Sequence, residues 1–545
     1  MISKILIENY RSIEKLEILD LKELNAIVGP NSAGKTNVLK ALNLLLGERY
    51  PTEAAFDLSD FNNLESEKTI CIQIWFSSHL SQCKLSNCSS RRKEDCIPVS
   101  FRLTHTKKKD EYIRTKFLVI DEKGEEYWGT GEARDQVSFI YIPSDRNLDK
   151  QMSISQYTLL GKIMKRIDDG FKQAVLKGSS ISLENEFREA MDAPRKILES
   201  DHEVGLSYKR FKEKFISICK DNTKGLASGF DLDLEIYDPL FYYKTVQIVG
   251  KETYGTFNIS ELGSGVQNLV LLSLFLTYAC LMKNKVVFAI EEPEIYLYPQ
   301  AQRHLYKRFI ELAFPQDGLG AQMFYTTHSP NFIDASRYDE IFMLRKKAQT
   351  CLVERKGLLA NEDREEIKIL TEFTTERNEL FFAEKVILVE GETEKHSLPF
   401  VLEAMQHPIE QENISIISAG GKDKLRFLIK ICKICQIEWV AFYDSDEGIK
   451  NEIKNEEATI PKNTEKICKL KKQDAANDKL NAELISLGDG RAFSFSSNYV
   501  EELGLENHKD NKWKEIQEAR EYCKQISVGD IPVVISSAIR TLYPS

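Results

Sequence analysis

Short apolar runs that end abruptly in glycines or acids recur along this chain. They are rich in β-branched and aromatic residues, which is typical of buried strands. The clearest of them are LNAIV (24–28), KVVFAI (285–290), KVILV (385–389) and WVAFY (439–443). Longer segments with apolar residues at helical spacing, such as NVLKALNLLL (37–46), separate these runs. The alternation of strands and helices predicts an α/β fold with parallel sheets.

The segment that follows the first of these runs carries a nucleotide-binding motif. GPNSAGKT (29–36) fits the pattern G-x-x-x-x-G-K-[ST] and lies between a predicted strand and a predicted helix, which is the context that the motif requires. Backbone amides of such a loop wrap phosphates, its lysine reaches the β and γ oxygens, and its hydroxyl holds Mg²⁺. The predicted ATP contacts are therefore Gly29, Asn31, Ser32, Ala33, Gly34, Lys35 and Thr36, with Thr36 also on the metal.

Acids follow the apolar run 285–290, as they do in the Walker B strand of an ATPase. Glu291 would hold the magnesium shell through water, and Glu292 would act as the catalytic residue that polarises the attacking water. Upstream, Ser264 and Gly265 stand at the start of an apolar helix, and helix N-termini bind anions. Downstream, FYTTHSP places His328 at a strand end.

Taken in series, these segments resemble ABC-type ATPases, and NYRS around Arg11 resembles RecF- and SMC-like heads. The resemblance implies that Arg11, Ser264, Gly265 and His328 lie near the nucleotide. It also implies a dimer. In ABC-type ATPases the signature loop, here LGSGVQ (262–267), completes the nucleotide site of a second subunit. Glutamate at 291, where aspartate is usual, and LGSGVQ in place of LSGGQ leave the speed of hydrolysis open.

Four carboxylates stand at the ends of two C-terminal apolar runs. Glu390 ends the run 385–389, and Glu394 follows in the first turn of the next predicted helix. Asp444 and Asp446 are two residues apart, so they point to the same face of a strand end. Four acids at one sheet edge repel one another unless a divalent cation neutralises them. The spacing therefore predicts a Mg²⁺ or Mn²⁺ site.

E-G-x-x-E followed by D-x-D, with the Gly420–Gly421 turn between them, resembles the TOPRIM domain. An ABC-type head with a C-terminal TOPRIM domain is the arrangement of the OLD family of ATP-dependent endonucleases, which includes the Gabija defence nuclease. The resemblance implies a two-metal DNA endonuclease regulated by ATP, with a role against phage DNA. Whether ATP activates or restrains cutting is left open.

The resemblance also assigns roles to individual residues. Glu390, Asp444 and Asp446 would bind one ion, while Glu394 and a later acid would bind the second. Glu501 is the first candidate for that acid and Glu502 is its rival. A lysine near the scissile phosphate is expected as well, and the candidates are Lys514 and Lys512.

The predicted domains follow from these motifs. They are an ATPase at 1–150 and 229–350, a helical dimerisation insert at 151–228, a connector at 351–380 and a TOPRIM domain at 381–545. A plain surface layer is the alternative for the insert. The expected partners are DNA, further copies of the chain in a homodimer or tetramer, and a helicase-like subunit.

Composition narrows the remaining function classes. No apolar run is long enough to span a bilayer, no signal-peptide pattern is present, and 11 cysteines lack a disulfide-framework spacing, so we expect a cytoplasmic protein without membrane contact. A net charge of −10 argues against indiscriminate coating of nucleic acid. His79, Cys83, Cys88 and Cys96 leave zinc as an open alternative. The competing function is a RecF- or SMC-like DNA-repair ATPase that binds DNA without cleaving it.

Overall fold

The computed structural model describes most of the chain. The described residues are 1–47, 49–107, 114–145, 203–223, 231–235, 247–252, 255–281, 286–315, 320–346, 348–371, 375–459, 464–508 and 511–543. Most of the predicted insert at 151–228 lies outside the described residues, and the part that lies inside is the helix Glu203–Thr223. Among the described helices, none has the length and apolar character that a membrane span requires.

The chain divides into two compact units. The first comprises Met1–Ile27, Ser32–Phe332 and Lys346–Cys351, and the second comprises Val28–Asn31, Ile333–Arg345 and Leu352–Ser545. The four domain boundaries predicted from the sequence remain predictions.

The described residues form 21 strands and 13 α-helices, which alternate most regularly between residues 385 and 444. The strands are β1 (Ile2–Tyr10), β2 (Ile13–Ile18), β3 (Leu24–Val28), β4 (Ile70–Phe76), β5 (Cys83–Asn87), β6 (Lys93–Cys96), β7 (Ser100–His105), β8 (Thr115–Ile120), β9 (Glu126–Trp128), β10 (Ser138–Ile142), β11 (Asp231–Glu235), β12 (Gln247–Glu252), β13 (Gly255–Asn258), β14 (Val286–Glu291), β15 (Gln322–Thr326), β16 (Ile341–Lys346), β17 (Thr350–Leu352), β18 (Lys385–Val389), β19 (Ile414–Ser418), β20 (Glu438–Asp444) and β21 (Ala492–Phe495). The helices are α1 (Lys35–Leu46), α2 (Gly131–Arg134), α3 (Glu203–Thr223), α4 (Ser264–Leu281), α5 (Pro299–Ala313), α6 (Asn361–Thr371), α7 (Glu392–Ala404), α8 (Lys422–Ile434), α9 (Glu447–Thr459), α10 (Thr464–Gly488), α11 (Tyr499–Glu502), α12 (Lys512–Cys523) and α13 (Val533–Thr541).

An antiparallel sheet forms the N-terminal part of the first unit. Its strand order is β2-β1-β4-β7-β8-β9-β5-β6. Ile5 of β1 stands opposite Ile18 of β2 and Ile74 of β4, and all three side chains are buried. Because side chains alternate between the two faces of a strand, this register places one apolar face of the sheet in the core.

Parallel strands form the second sheet of the first unit, where β10, β14, β15 and β3 lie side by side in that order. Every residue of β14 is buried, as expected for a strand that is covered on both faces. Because the strands run in the same direction, the residues after β14 and β15 meet at one edge. This edge carries Glu291, Glu292 and His328.

The second unit contains a parallel sheet with the strand order β19-β18-β20-β21. Its core combines sheet residues such as Ile387 and Phe442 with Leu398 of α7, Ala519 of α12 and Ile535 of α13. The acids predicted for the metal site follow β18 and end β20, so one sheet edge carries them. The predicted α/β class with parallel sheets is confirmed.

Replacing Phe442 by alanine tests this core. Phe442 is fully buried and stacks on Phe495 with ring centroids 5.5 Å apart, so Phe442→Ala should lower the free energy of unfolding of the second unit by about 3–5 kcal/mol. Urea titration, followed by the fluorescence of buried Trp439, measures the change. Val533→Ala is the control, because Val533 is 77% exposed and its loss should cost less than about 0.5 kcal/mol. Equal midpoints for the two variants would contradict the assignment.

Candidate active site

The carboxyl edge of the C-terminal sheet joins Glu390 to Asp444. Glu390 directly follows β18, and its Oε2 accepts a hydrogen bond of 3.2 Å from the backbone N–H of Asp444. An oxygen of Asp444 accepts one of 2.9 Å from the N–H of Tyr499. The two acids are thus fixed on neighbouring parallel strands by backbone donors.

Glu394 is buried and Asp444 is half-buried, and their charges repel. Burial together with the carboxylates of Glu394 and Glu390 raises the pKa of Asp444 to about 8. Burial together with the nearby Glu390 carboxylate raises the pKa of Glu394 to about 7. The pKa of Glu390 is raised as well, chiefly by burial. Anionic oxygens at this edge would therefore be stabilised by a cation.

A cavity of about 260 Å³ opens beside these acids. Its lining comprises Thr393, Glu394, Asp444, Asn498, Tyr499, Val500, Asn507, His508, Lys512 and Glu515. Lys512 donates a hydrogen bond of 2.7 Å to buried Glu515, which also accepts one of 3.1 Å from the Thr393 hydroxyl. Burial disfavours the charge of Lys512, but the carboxylates of Glu515, Glu394 and Asp444 outweigh it and raise the lysine's pKa.

Asp446 differs from the other three acids because a lysine holds it. Its carboxylate pairs with the ammonium of Lys422, whose side chain is 6% exposed. Lys422 was not among the residues predicted from the sequence. The signal was its position directly after the Gly420–Gly421 turn, which brings it to the same sheet edge.

Other predicted residues of this region lie away from the cavity. Glu501 is exposed on α11, and its rival Glu502 accepts hydrogen bonds of 3.0 and 2.6 Å from the N–H and the hydroxyl of Ser496. Lys514 points to Glu518 at 3.6 Å with its side chain 53% exposed. Of the two lysine candidates, Lys512 lines the cavity and Lys514 does not, and Glu515 lies beside the cavity where Glu501 was expected.

The acids are not assembled as a ready metal cage. Within the residues that the structure describes, no three or more His, Cys, Asp or Glu side chains are arranged to hold an ion. The predicted metal site of four acids remains a prediction: the charge of Asp446 acts on Glu390 and Asp444, but its carboxylate pairs with Lys422. The donor set nevertheless fits a divalent cation, since carboxylate oxygens are hard ligands and the pKa values of Glu394 and Asp444 are raised by uncompensated burial.

The residues considered for zinc are not brought together. Cys83 and Cys96 face each other across β5 and β6, and the thiol of Cys83 points to the carbonyl oxygen of Cys96. His79 instead pairs with Glu122 at 3.0 Å. Burial raises the pKa of the Cys96 thiol to about 12, which disfavours the thiolate that zinc requires.

The nucleotide loop has the backbone that close phosphate contact needs. Gly34 adopts φ +95°, and a Cβ there would lie 2.5 Å from the hydroxyl of Thr350. Ser32 is left-handed at φ +66°. Burial lowers the pKa of Lys35 to about 8, although Glu292 and Glu294 oppose the shift. Among the other predicted contacts, Gly29 has φ +146°, Ala33 is buried, Asn31 is exposed and Thr36 is half-buried.

Hydrogen bonds fix the acid that ends β14. The Glu291 carboxylate accepts a hydrogen bond of 2.7 Å from the Tyr141 hydroxyl. It also accepts hydrogen bonds of 3.1 Å from the N–H and from the hydroxyl of Ser144. Neither Tyr141 nor Ser144 was identified from the sequence, because their segment matches no motif.

The neighbouring residue, Glu292, faces His328, the histidine that was predicted to lie near the nucleotide. Its carboxylate lies 3.9 Å from Nε2 of His328. Burial, reinforced by the charge of Lys35, lowers the pKa of His328. The N–H of His328 donates a hydrogen bond of 2.6 Å to Glu294, a half-buried acid whose pKa is raised chiefly by burial. Lys35, Glu292 and His328 thus interact electrostatically within one site.

The remaining predicted nucleotide contacts have other partners in a single chain. Arg11 pairs with Asp60 at 2.9 Å. Ser264 is exposed at the start of α4, and a Cβ on Gly265 would lie 2.7 Å from the carbonyl oxygen of Tyr296. An exposed Ser264 is available to a second subunit.

Loss of the Lys35 ammonium tests the nucleotide site. Charge-assisted hydrogen bonds contribute about 1.5–3 kcal/mol, so Lys35→Ala should weaken ATP binding roughly 10- to 100-fold. Equilibrium titration with a fluorescent ATP analogue measures this. Lys40→Ala, on the same helix α1, serves as the matched control and should bind as the unmodified protein does. Unchanged binding by Lys35→Ala would remove the loop from the nucleotide site.

Two family models match parts of the chain. The model of the AAA ATPase domain matches residues 1–333. The TOPRIM domain model of overcoming lysogenization defect protein-like chains matches residues 381–446. A solved Smc head domain from Pyrococcus furiosus gives a TM-score of 0.43 at 14% identity, over 68% of this chain and 98% of that chain.

Three relatives extend over most of the chain. The OLD nuclease of Thermus scotoductus (strain ATCC 700910 / SA-01) is 27% identical, over 98% of this chain and 96% of that protein. Endonuclease GajA of Bacillus cereus (strain VD045) is 24% identical, over 77% and 70%. The Old nuclease of Escherichia phage P2 is 23% identical, over 82% and 77%. The chain belongs to the AAA ATPase domain family, and its recognition as an OLD-type chain that joins this ATPase to a TOPRIM domain is confirmed.

Proposed function

We propose that the chain is an ATP-regulated, divalent-metal-dependent endonuclease that hydrolyses DNA phosphodiesters at its TOPRIM domain. One observation carries the proposal: Glu394, which is buried, and Asp444, which is half-buried, line one cavity together with Lys512. The names of the three relatives, two of them OLD nucleases and one an endonuclease, support the same activity.

The residues of this edge divide into ligands and a phosphate contact. Glu390, Glu394 and Asp444 would hold Mg²⁺ or Mn²⁺, and Asp446 would join them once it leaves Lys422. Two such ions supply an activated water and neutralise charge on the leaving oxygen. Lys512 is placed to contact the scissile phosphate, and the carboxylates around it keep it cationic. Glu515 and Thr393 fix the position of that ammonium.

The first unit would bind ATP, and the bound nucleotide would regulate DNA cutting by the TOPRIM domain. Lys35 and Thr36 would contact the phosphates and their magnesium, and Glu292 would polarise water beside His328. Glu291 is already oriented by Tyr141 and Ser144, so its carboxylate would meet the magnesium shell without rearrangement. Exposed Ser264 favours a second subunit at the nucleotide. Assembly beyond a dimer, a helicase-like partner and a role against phage DNA are parts of the same proposal.

Removal of one half-buried carboxylate tests the nuclease. Asp444→Asn keeps the shape of the side chain but loses a charge at the centre of the acid cluster, so DNA cutting with Mg²⁺ or Mn²⁺ should fall at least about a hundredfold. Plasmid nicking and linearisation, with and without ATP, measure the effect, and a chelator should abolish cutting by the unmodified protein. ATP binding should persist in the variant.

Asp489→Asn provides the matched control. Asp489 pairs with Lys433, is 69% exposed and precedes β21 at the opposite edge of the sheet. Its variant should cut normally. Cutting that survives Asp444→Asn would exclude the proposed site.

Comparison of two neighbouring lysines identifies the phosphate contact. Lys512→Met should slow cutting roughly 10- to 100-fold, because the variant loses a cation beside the reacting phosphate. Lys514→Met should cut at nearly the normal rate, since Lys514 faces Glu518. Single-turnover rates at saturating metal measure both. A larger loss in Lys514→Met would reverse the assignment.

DNA binding without cleavage is the second candidate function, and the pairing of Asp446 with Lys422 favours it. It requires ATP-dependent DNA binding by a protein that leaves plasmid DNA intact in both metals. Cutting that depends on Asp444 excludes it.

A further inference from the structure

Lys422 is a buried cation at the edge of the metal site. It begins α8, its side chain is 6% exposed, and its ammonium pairs with the carboxylate of Asp446. Removing an ammonium from water costs several kcal/mol unless a partner compensates it. The pair with Asp446 therefore accounts for the presence of a lysine at this depth.

The turn before Lys422 is anchored to the first acid of the site. The N–H groups of Gly420 and Gly421 donate hydrogen bonds of 3.1 and 2.9 Å to the carbonyl oxygen of Glu390. Arg377 holds the preceding strand end through bonds of 3.2 Å to Ser418 and 2.9 Å to Ala419. These contacts fix the backbone position from which the lysine reaches Asp446.

The ammonium acts on two of the acids that were assigned to one ion. It is bonded to Asp446, and its charge also opposes the rise in the pKa of Glu390 that burial causes. A divalent ion shared by Glu390, Asp444 and Asp446 would neutralise the same charges. The lysine and the ion therefore compete for the carboxylate of Asp446.

We propose that Lys422 is the internal counter-cation of the metal-free site, holding Asp446 until a divalent ion displaces it. This inference rests on the proposed function, because it concerns the same acids. Its consequence is that metal affinity is set by competition with an ion pair inside the protein. The site would then fill only at metal concentrations that overcome this pair.

Metal binding by the full chain without nucleotide or DNA tests the inference. Free Mn²⁺ is measured by its electron paramagnetic resonance signal, and the binding that Asp444→Asn loses is assigned to this site. Lys422→Met removes the competing charge, so it should bind Mn²⁺ roughly tenfold or more tightly than the unmodified protein. Lys422→Arg keeps the charge and should show no such gain.

Lys433→Met is the matched control. Lys433 lies on the same helix and also pairs with an aspartate, Asp489, but it stands at the far end of α8. Its variant should bind Mn²⁺ with normal affinity.

Thermal unfolding gives a second reading. In chelator, Lys422→Met should melt at a lower temperature than the unmodified protein, because Asp446 and Glu390 lose their counter-cation, and Mn²⁺ should raise its melting temperature by more. Equal or weaker Mn²⁺ affinity in Lys422→Met would overturn the inference and make Lys422 a residue that positions Asp446 for the metal. Should this variant not fold, Lys422→Gln is measured with the same two readings.

The proposed function can fail independently of this inference. If the unmodified protein has no Asp444-dependent Mn²⁺ binding, the metal site itself is refuted. If that binding exists and Lys422→Met does not strengthen it, the counter-cation role alone is refuted.

Discussion

Mutual repulsion among carboxylates that are buried or half-buried at one sheet edge is the constraint on which the C-terminal unit depends. The parallel strands are apolar along their length, so the acids at their ends lie close to a core that cannot solvate them. Two hydrogen bonds and an ion pair stabilise these acids. The N–H of Asp444 donates to Glu390, the N–H of Tyr499 donates to Asp444, and Lys422 pairs with Asp446. The pKa values of Asp444 and Glu394, about 8 and 7, show that these donors compensate the charge only in part. The negative charge that is left uncompensated favours the binding of a cation.

The nucleotide loop of the first unit has the opposite electrostatic character. Burial lowers the pKa of Lys35 to about 8, even with Glu292 and Glu294 nearby. A buried lysine that releases its proton this readily is stabilised by anions, as a phosphate would be, whereas the acids of the second unit are stabilised by cations. Both sets of shifts have burial as their largest cause, because burial disfavours the charged form of either kind of group.

Strand ends and loop motifs could be predicted from the sequence because they depend on short-range patterns. Glu390 and Asp444 follow apolar runs, and parallel strands bring their carboxyl ends to one edge. The roles of Lys512, Lys514 and Glu515 could not be predicted from strand ends, because they depend on which face of α12 is buried. Glu515, Ile516, Ala519 and Cys523 form its buried face. Their helical spacing places Glu515 inside and Lys514 outside, and that periodicity was the available signal. The Gly420–Gly421 turn indicates that Lys422 lies at the sheet edge, but its pairing with Asp446 is a tertiary contact that the local sequence does not show.

Backbone strain occurs at both proposed sites. Glu292 and Asp446 are non-glycine residues with φ of +43° and +61°, a left-handed conformation that costs of order 1–3 kcal/mol. A backbone carbonyl holds each strained residue: that of Thr326, in β15, accepts a hydrogen bond of 3.0 Å from the N–H of Glu292, and that of Ser497, after β21, accepts one of 3.2 Å from the N–H of Asp446. Such strain persists only where surrounding contacts over-determine the backbone. These backbone contacts set the direction in which each acid leaves the sheet. In the exchange proposed for Lys422, the side chain of Asp446 is therefore the part that moves to the ion.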